Sequence, residues 1–230
     1  MSNYTVARFA NPFLIILAFY FLNMIISLEN IGKRYNYEWI FRNVNYEFGT
    51  EDNYVILGSN GSGKSTLLQV IANSLIASEG KISYKDNAGK VIPEDDIFQH
   101  LSYAAPYLEL FEEFTLAESI EFQGKFKPFY DGLTTKSIIE IAELEKAKNK
   151  QLKHYSSGMK QRVRLVLAVL AKTPLLLLDE PTSNLDKKAI DWYQQLVNAY
   201  SKDRLIIVAS NQQEYEYPFC NKELSIEDYK

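Results

Sequence analysis

Polar residues interrupt the apolar runs of this chain in two different ways, and the difference predicts two kinds of strand. Leu175-Leu-Leu-Leu-Asp179, Leu205-Ile-Ile-Val-Ala209 and the shorter Tyr54-Val-Ile-Leu57 show no polar alternation, which fits central parallel strands buried on both faces. Phe41-Arg-Asn-Val-Asn-Tyr-Glu-Phe48 alternates instead, as a half-buried antiparallel strand does. Ile25–Leu28, Gly80–Tyr84 and Leu101–Ala104 are further strand candidates. Helical spacing predicts helices from Lys64 to about Ala77, over Ser137–Leu144 and over Lys187–Tyr200. Another runs over Ser157–Lys172, with Val163, Val166, Leu167 and Leu170 on one face and Pro174 as its stop. Thr115-Leu-Ala-Glu118 has the form of a capping box at a helix start. Strands alternating with helices imply an α/β core on a parallel sheet, with a helical insert at about residues 110–165.

The first 26 residues break this rhythm. Pro12 to Ile26 is strongly apolar, yet Phe13–Ile26 as a helix reaches only about 21 Å, short of the roughly 30 Å of a bilayer core. Arg8 is its lone basic residue and no small-residue cleavage pattern follows, so a secretory signal fits poorly. The expectation is that residues 1–23 are an extension upstream of a natural start at Met24, with one domain over 24–230.

Hydrophobic residues at 47% and charged residues at 23% are ordinary for a globular chain of 230 residues. A formal net charge of −4 argues against a lasting grip on nucleic acid, so no nucleic-acid partner is expected. The single cysteine, Cys220, cannot form an internal disulfide and fits a reducing, cytoplasmic location.

The chemistry concentrates in Gly58-Ser59-Asn60-Gly61-Ser62-Gly63-Lys64-Ser65-Thr66, a G-x-x-x-x-G-K-S loop between a strand and a helix. Glycines let backbone amides curl around a phosphate, and the helix N-terminus favours its negative charge. Lys64 is expected to reach the β- and γ-phosphates, and the Ser65 hydroxyl to ligate Mg²⁺. Asp179 ends a buried strand where a carboxylate can hold the same cation. Glu180, one residue on, is the candidate general base for an attacking water.

Two more motifs follow in order: Tyr155-Ser-Ser-Gly-Met-Lys-Gln-Arg162 before a helix, and Asp179-Glu-Pro-Thr-Ser-Asn-Leu-Asp186. Together with Gly58–Thr66 they resemble the ATP-binding subunits of ABC transporters over essentially all of 24–230. The resemblance implies a P-loop NTPase core with a mainly parallel sheet, an antiparallel β subdomain and a helical insert. It also implies ATP and Mg²⁺ as cofactors and a dimer with ATP held between subunits. On this pattern Tyr35 stacks on adenine, with Tyr37 a second candidate. Ser156, Ser157 and Gly158 meet the γ-phosphate bound to the opposite subunit, and the loop ending at Asp186 crosses the dimer interface. An integral membrane permease is the expected further partner, placing the chain on the cytoplasmic face of the membrane. Tyr107-Leu-Glu-Leu-Phe-Glu-Glu-Phe114 lies where the family docks that permease, although interior packing explains the run equally well.

The chain departs from the family in ways that touch the chemistry. The signature reads Tyr155-Ser-Ser-Gly-Met159 where L-S-G-G-Q is usual. Pro106 stands where a Gln senses Mg²⁺ and water, and proline offers neither a side-chain amide nor a backbone N–H. Asn211 stands at the usual switch histidine; an amide hydrogen-bonds but does not take a proton at neutral pH. The expectation is retained ATP binding with reduced hydrolysis, against a degenerate site in a heterodimer. A soluble, non-transport ABC ATPase acting on DNA, ribosomes or cofactor assembly is the other functional class. The small basic patch of Lys160, Arg162 and Arg164 reads as a solvated face or support for the nucleotide site.

Overall fold

The computed structural model describes residues 24–230 apart from 87 and 203, so the apolar extension 1–23 lies outside the described residues. Two sheets carry the fold. Strands β1 (Met24–Tyr35) and β2 (Glu38–Gly49) form an antiparallel hairpin, turned at Asn36, whose φ is 54°. Strand β3 (Asn53–Leu57) leads into helix α1 (Lys64–Ile71). The chain then returns through β4 (Glu79–Asp86) and β5 (Val91–Ile92), which complete the antiparallel sheet in the order β2-β1-β4-β5. A short helix α2 (Ile97–His100) precedes β6 (Leu101–Ala104), and the insert carries α3 (Leu116–Gly124) and α4 (Thr135–Ile141). Helix α5 (Ser157–Val169), β7 (Leu175–Asp179), α6 (Lys187–Tyr200), β8 (Leu205–Ser210) and β9 (Lys222–Ser225) follow.

The second sheet runs β6-β7-β8-β3-β9 with parallel pairing throughout. Its strands lack polar alternation because both faces are covered. Leu175, Leu177 and Ile207 turn toward the core under α1 and the antiparallel sheet, with Phe41, Phe48, Leu67 and Leu68. Leu176, Leu178, Ile206 and Val208 turn the other way, onto Val163 and Val166 of α5 and Tyr193 and Leu196 of α6. Register pairs Leu57 with Ser210 and Asp179 with Ala209. The carboxyl ends of β3, β8 and β7 therefore lie side by side, where open α/β sheets bind ligands.

Several boundaries differ from the sequence expectation, each with a local cause. Helix α1 stops at Ile71 rather than near Ala77, because Asn73 adopts φ 51° and the Ser74 and Leu75 amides both fold back onto the Gln69 carbonyl. Helix α5 ends at Val169, ahead of Pro174. The chain peels away there, Tyr130 N–H donating to the Leu170 carbonyl and Lys172 N–H to that of Pro128. Edge strand β9 was not expected, since its Lys-Glu-Leu-Ser has neither alternation nor an apolar run. The capping box at Thr115 is present: its hydroxyl accepts from Glu118 N–H at 3.3 Å, and Glu118 Oε2 accepts from Thr115 N–H at 2.7 Å.

Candidate functional site

The loop Gly58–Thr66 needs its glycines for different reasons. Gly61 and Gly63 have φ 76° and 106°, a region L side chains rarely enter. At Gly58 a Cβ would come within 2.4 Å of Ser62 Oγ, and at Gly63 within 2.6 Å of Ile40 Cγ2. At Gly63 the loop thus packs directly on Ile40 and Phe41 of β2. Leu67 N–H bonds the Gly63 carbonyl at 2.8 Å, so α1 begins directly at the loop.

Lys64 is buried and gives its ammonium protons to the Gly58 carbonyl at 3.0 Å, the Ser59 carbonyl at 2.9 Å and Asn211 Oδ1. Burial lowers its pKa, opposed by the nearby charges of Glu180 and Asp179. Asn211 Nδ2 donates to Glu180 Oε1 at 2.8 Å. The Asn211 side chain thereby links the loop lysine to the carboxylate beyond β7. Glu180 itself has φ 42° and its N–H bonds the Ala209 carbonyl at 2.9 Å. A left-handed glutamate costs roughly 1–3 kcal/mol of backbone strain, held here by the surrounding turn.

Asp179 is only 1% exposed, and burial raises its pKa. Its Oδ2 accepts from the Tyr107 hydroxyl at 3.0 Å, with the Tyr103 hydroxyl at 3.4 Å. Its Oδ1 is buried with no hydrogen-bond partner among the described residues. The Ser65 hydroxyl lies close enough to favour the ionised carboxylate. A bare buried carboxylate oxygen beside a hydroxyl fits Mg²⁺, which binds through few protein oxygens and keeps several waters. Among the described residues no group of three or more His, Cys, Asp or Glu side chains offers a cation site.

Tyr107 went unnoticed in the sequence as a site residue. Pro106 offers the site no donor, but the turn after β6, closed by Leu108 N–H on the Ala105 carbonyl at 3.1 Å, carries the next side chain in. Gln99, outside the site, faces Asp96.

Ser156 caps α5, its Oγ accepting from Met159 N–H at 3.3 Å. A Cβ on Gly158 would lie 2.9 Å from the Asn184 carbonyl oxygen, so this glycine packs on the loop that leaves Glu180. That loop turns through Asn184 at φ 64° and ends at Asp186, which caps α6 by accepting from Ala189 N–H at 2.8 Å. Ser156, Ser157, Gly158, Asn184 and Asp186 line a cavity of about 490 Å³ that contains no residue of Gly58–Thr66. The structure does not bring these two motifs together within one chain. A second residue missed in the sequence, Glu216, is buried beneath the loop; it accepts from Thr182 Oγ1 at 2.6 Å and from Ser210 Oγ.

Tyr35 sits at the end of the β1–β2 hairpin, half-exposed, with the Lys33 ammonium 5.2 Å from its ring centre; Tyr37 is fully exposed. The basic patch is spoken for: Lys160 pairs with Glu112, Arg162 with Glu143, and Arg164 Nε bonds the Leu108 carbonyl. Cys220 packs as a small half-buried group, its thiol pKa pushed up to about 12 by burial. No helix among the described residues is long and apolar enough to cross a membrane.

A family model described as ABC transporter matches residues 41–183. The uncharacterized ABC transporter ATP-binding protein YcbN of Bacillus subtilis is 27% identical over 190 residues, 79% of this chain and 59% of its own length. The cytochrome c biogenesis ATP-binding export protein CcmA of Agrobacterium fabrum is 29% identical over 197 residues, covering 82% of this chain and 90% of its own. Among solved structures, a dimeric post-hydrolysis state of an ATP-binding cassette bound to ADP and Pi superposes with TM-score 0.74 at 22% identity, over 88% of this chain and 94% of that one.

Proposed function

With the family model matching more than half of its length, the chain belongs to the ABC transporter family, and we propose that it is the ATP-binding and ATP-hydrolysing subunit of a transporter, closing as a dimer around two ATP molecules to drive a separate membrane permease. One observation carries this reading. At the carboxyl ends of β3, β7 and β8 the buried Lys64 ammonium, the bare oxygen of Asp179 and the Glu180 carboxylate converge, with Asn211 bridging Lys64 and Glu180.

In this reading Gly58–Thr66 cradles the phosphates, Lys64 turns to the β- and γ-phosphates, and Tyr35 stacks on adenine. Ser65 and Asp179 hold Mg²⁺, which when bound offsets the charge on the phosphate oxygens. Glu180 orients the attacking water and takes its proton. Asn211, already within reach of Lys64 and Glu180, holds the γ-phosphate by hydrogen bonds alone. Ser156, Ser157 and Gly158 serve the ATP bound to the opposite subunit, and the loop to Asp186 links the two sites. The separation of the two motifs within one chain supports this, since each subunit then supplies half of each site.

The test is ATP turnover by the purified full chain against Glu180→Gln, with molar mass measured by light scattering with and without ATP. Removing the base should lower turnover by about 10²–10⁴ and trap an ATP-bound dimer. Equal turnover would remove Glu180 from catalysis and favour the second reading that Pro106 and Asn211 suggest, a degenerate half of a heterodimer. Co-purification with a permease from detergent-solubilised membranes tests the partner; recovery only in the soluble fraction favours a non-transport ATPase.

A further inference from the structure

We propose that Tyr107 is a positioning residue for the cation-binding carboxylate of Asp179, standing one position beyond the proline that has no donor to give. The proposal rests on the reading of Asp179 as a Mg²⁺ ligand.

The hydrogen-bond count supports a directed chain. A tyrosine hydroxyl has one proton and two lone pairs. Tyr107 lies nearer to Asp179 Oδ2, at 3.0 Å against 3.4 Å for Tyr103, so its proton goes to the carboxylate. Its oxygen then accepts from Gln69 Nε2 at 3.2 Å and from the Tyr103 hydroxyl, which filled contacts leave as the donor of that short pair. Each hydroxyl proton has an acceptor, and each bond polarises the next. The loop is held as well, because Arg164 Nε donates to the carbonyl of Leu108, the following residue, at 2.7 Å.

The consequence lies in which carboxylate oxygen is left free. Oδ2 accepts from Tyr107 and Oδ1 has no partner among the described residues. A hydrogen bond on Oδ2 favours one orientation of the carboxylate and leaves Oδ1 free to meet a cation. Tyr107 thereby sets the orientation in which the carboxylate meets the cation. Partners that orient a ligand in this way typically change metal affinity by about 10- to 100-fold when removed.

The experiment uses the full chain carrying Glu180→Gln, with a fluorescent ATP analogue as probe and Mg²⁺ titrated from a chelated start. Tyr107→Phe should raise the Mg²⁺ concentration for half-maximal tight binding by about tenfold. Probe affinity in excess chelator should stay unchanged, a separation that general loosening of the fold would not produce. Gln69→Met leaves both rings in place and should shift the Mg²⁺ midpoint in the same direction by a smaller factor. It keeps the test valid should Tyr107→Phe fold poorly. Unchanged Mg²⁺ midpoints in the folded variants overturn the role of Tyr107 while leaving Asp179 as ligand. Mg²⁺-independent binding by the parent chain, matched by Asp179→Asn, overturns both.

Discussion

Asn211 Nδ2 reaches Glu180 Oε1 at 2.8 Å while its Oδ1 accepts from Lys64, so one neutral amide spans two opposite charges. An amide can serve both because it carries a donor and an acceptor on one planar group. A histidine at this point would have to choose a tautomer, and its charge would change near neutral pH.

Asn211→Ala is therefore expected to lower turnover by about 10- to 100-fold, since small misplacements of a catalytic group have effects of that size. Nucleotide affinity should fall less, by about 3- to 10-fold, because one hydrogen bond to the γ-phosphate is lost while Gly58–Thr66 and Lys64 still hold the phosphates. Steady-state ATPase assays beside equilibrium binding check both; an equal loss in both would place Asn211 in binding rather than in positioning Glu180.

Gly158→Ala probes the contact between the two motifs that line the same cavity. The added Cβ would meet the Asn184 carbonyl at 2.9 Å, and backbone does not yield as the end of a flexible side chain does. Overpacking of this kind typically destabilises by about 1–3 kcal/mol. The displaced loop should also lower turnover by about tenfold or more, with nucleotide binding by the single chain preserved because Gly58–Thr66 is elsewhere. Wild-type turnover together with a wild-type melting midpoint would contradict the packing.

Glu216 ties the loop after Glu180 to the end of β8 through Thr182 and Ser210. Burial raises its pKa, and its hydrogen bonds only partly offset that. A carboxylic acid with a raised folded pKa binds its proton more tightly when folded, so its contribution to stability is present at low pH. That contribution is lost as pH rises from the unfolded value near 4.3 through the folded value. Glu216→Gln should flatten this part of the stability–pH curve, whereas Glu216→Ala strands two buried donors and should cost about 1–3 kcal/mol at every pH. Urea unfolding between pH 4.5 and 8 separates them; identical pH slopes for parent chain and Glu216→Gln would refute the assignment.

What could be read in the sequence follows from how local each signal is. Burial on both faces of β7 and β8 leaves an uninterrupted apolar run, and the glycines of Gly58–Thr66 answer to a backbone path set within nine residues. Tyr107 offered no such signal. It opens an aromatic run whose other members, Phe111 and Phe114, pack with Phe122 of α3. Nothing in spacing separates a side chain that packs from one that turns to a carboxylate 72 positions away. Glu216 was hidden similarly, in a polar stretch that reads as surface until β8 and the Thr182 loop close over it. Strand β9 exists only because β3 offers it an edge.

Arg204 extends that lesson into a prediction about stability rather than chemistry. In the sequence it is a charge beside a turn, yet it is 1% exposed. It donates to the Val169 carbonyl at 2.9 Å, Ser102 Oγ at 2.9 Å and Thr173 Oγ1 at 2.8 Å, joining the end of α5 to the starts of β6 and β7. Burial lowers its pKa to about 10, still well above neutrality, so the guanidinium stays charged and its bonds are charge-assisted. Arg204→Met matches the length but leaves the Val169 carbonyl without this donor, with an expected loss of about 1–3 kcal/mol. Arg204→Lys keeps the charge but cannot reproduce the planar fork, and should recover less than half of that loss. Because these contacts lie at the end of the sheet opposite Lys64 and Asp179, nucleotide affinity of the folded fraction should be unchanged. Urea denaturation paired with nucleotide binding measures the two separately. A variant that binds nucleotide poorly while unfolding at the parent midpoint would show that Arg204 acts on the site and not on the fold.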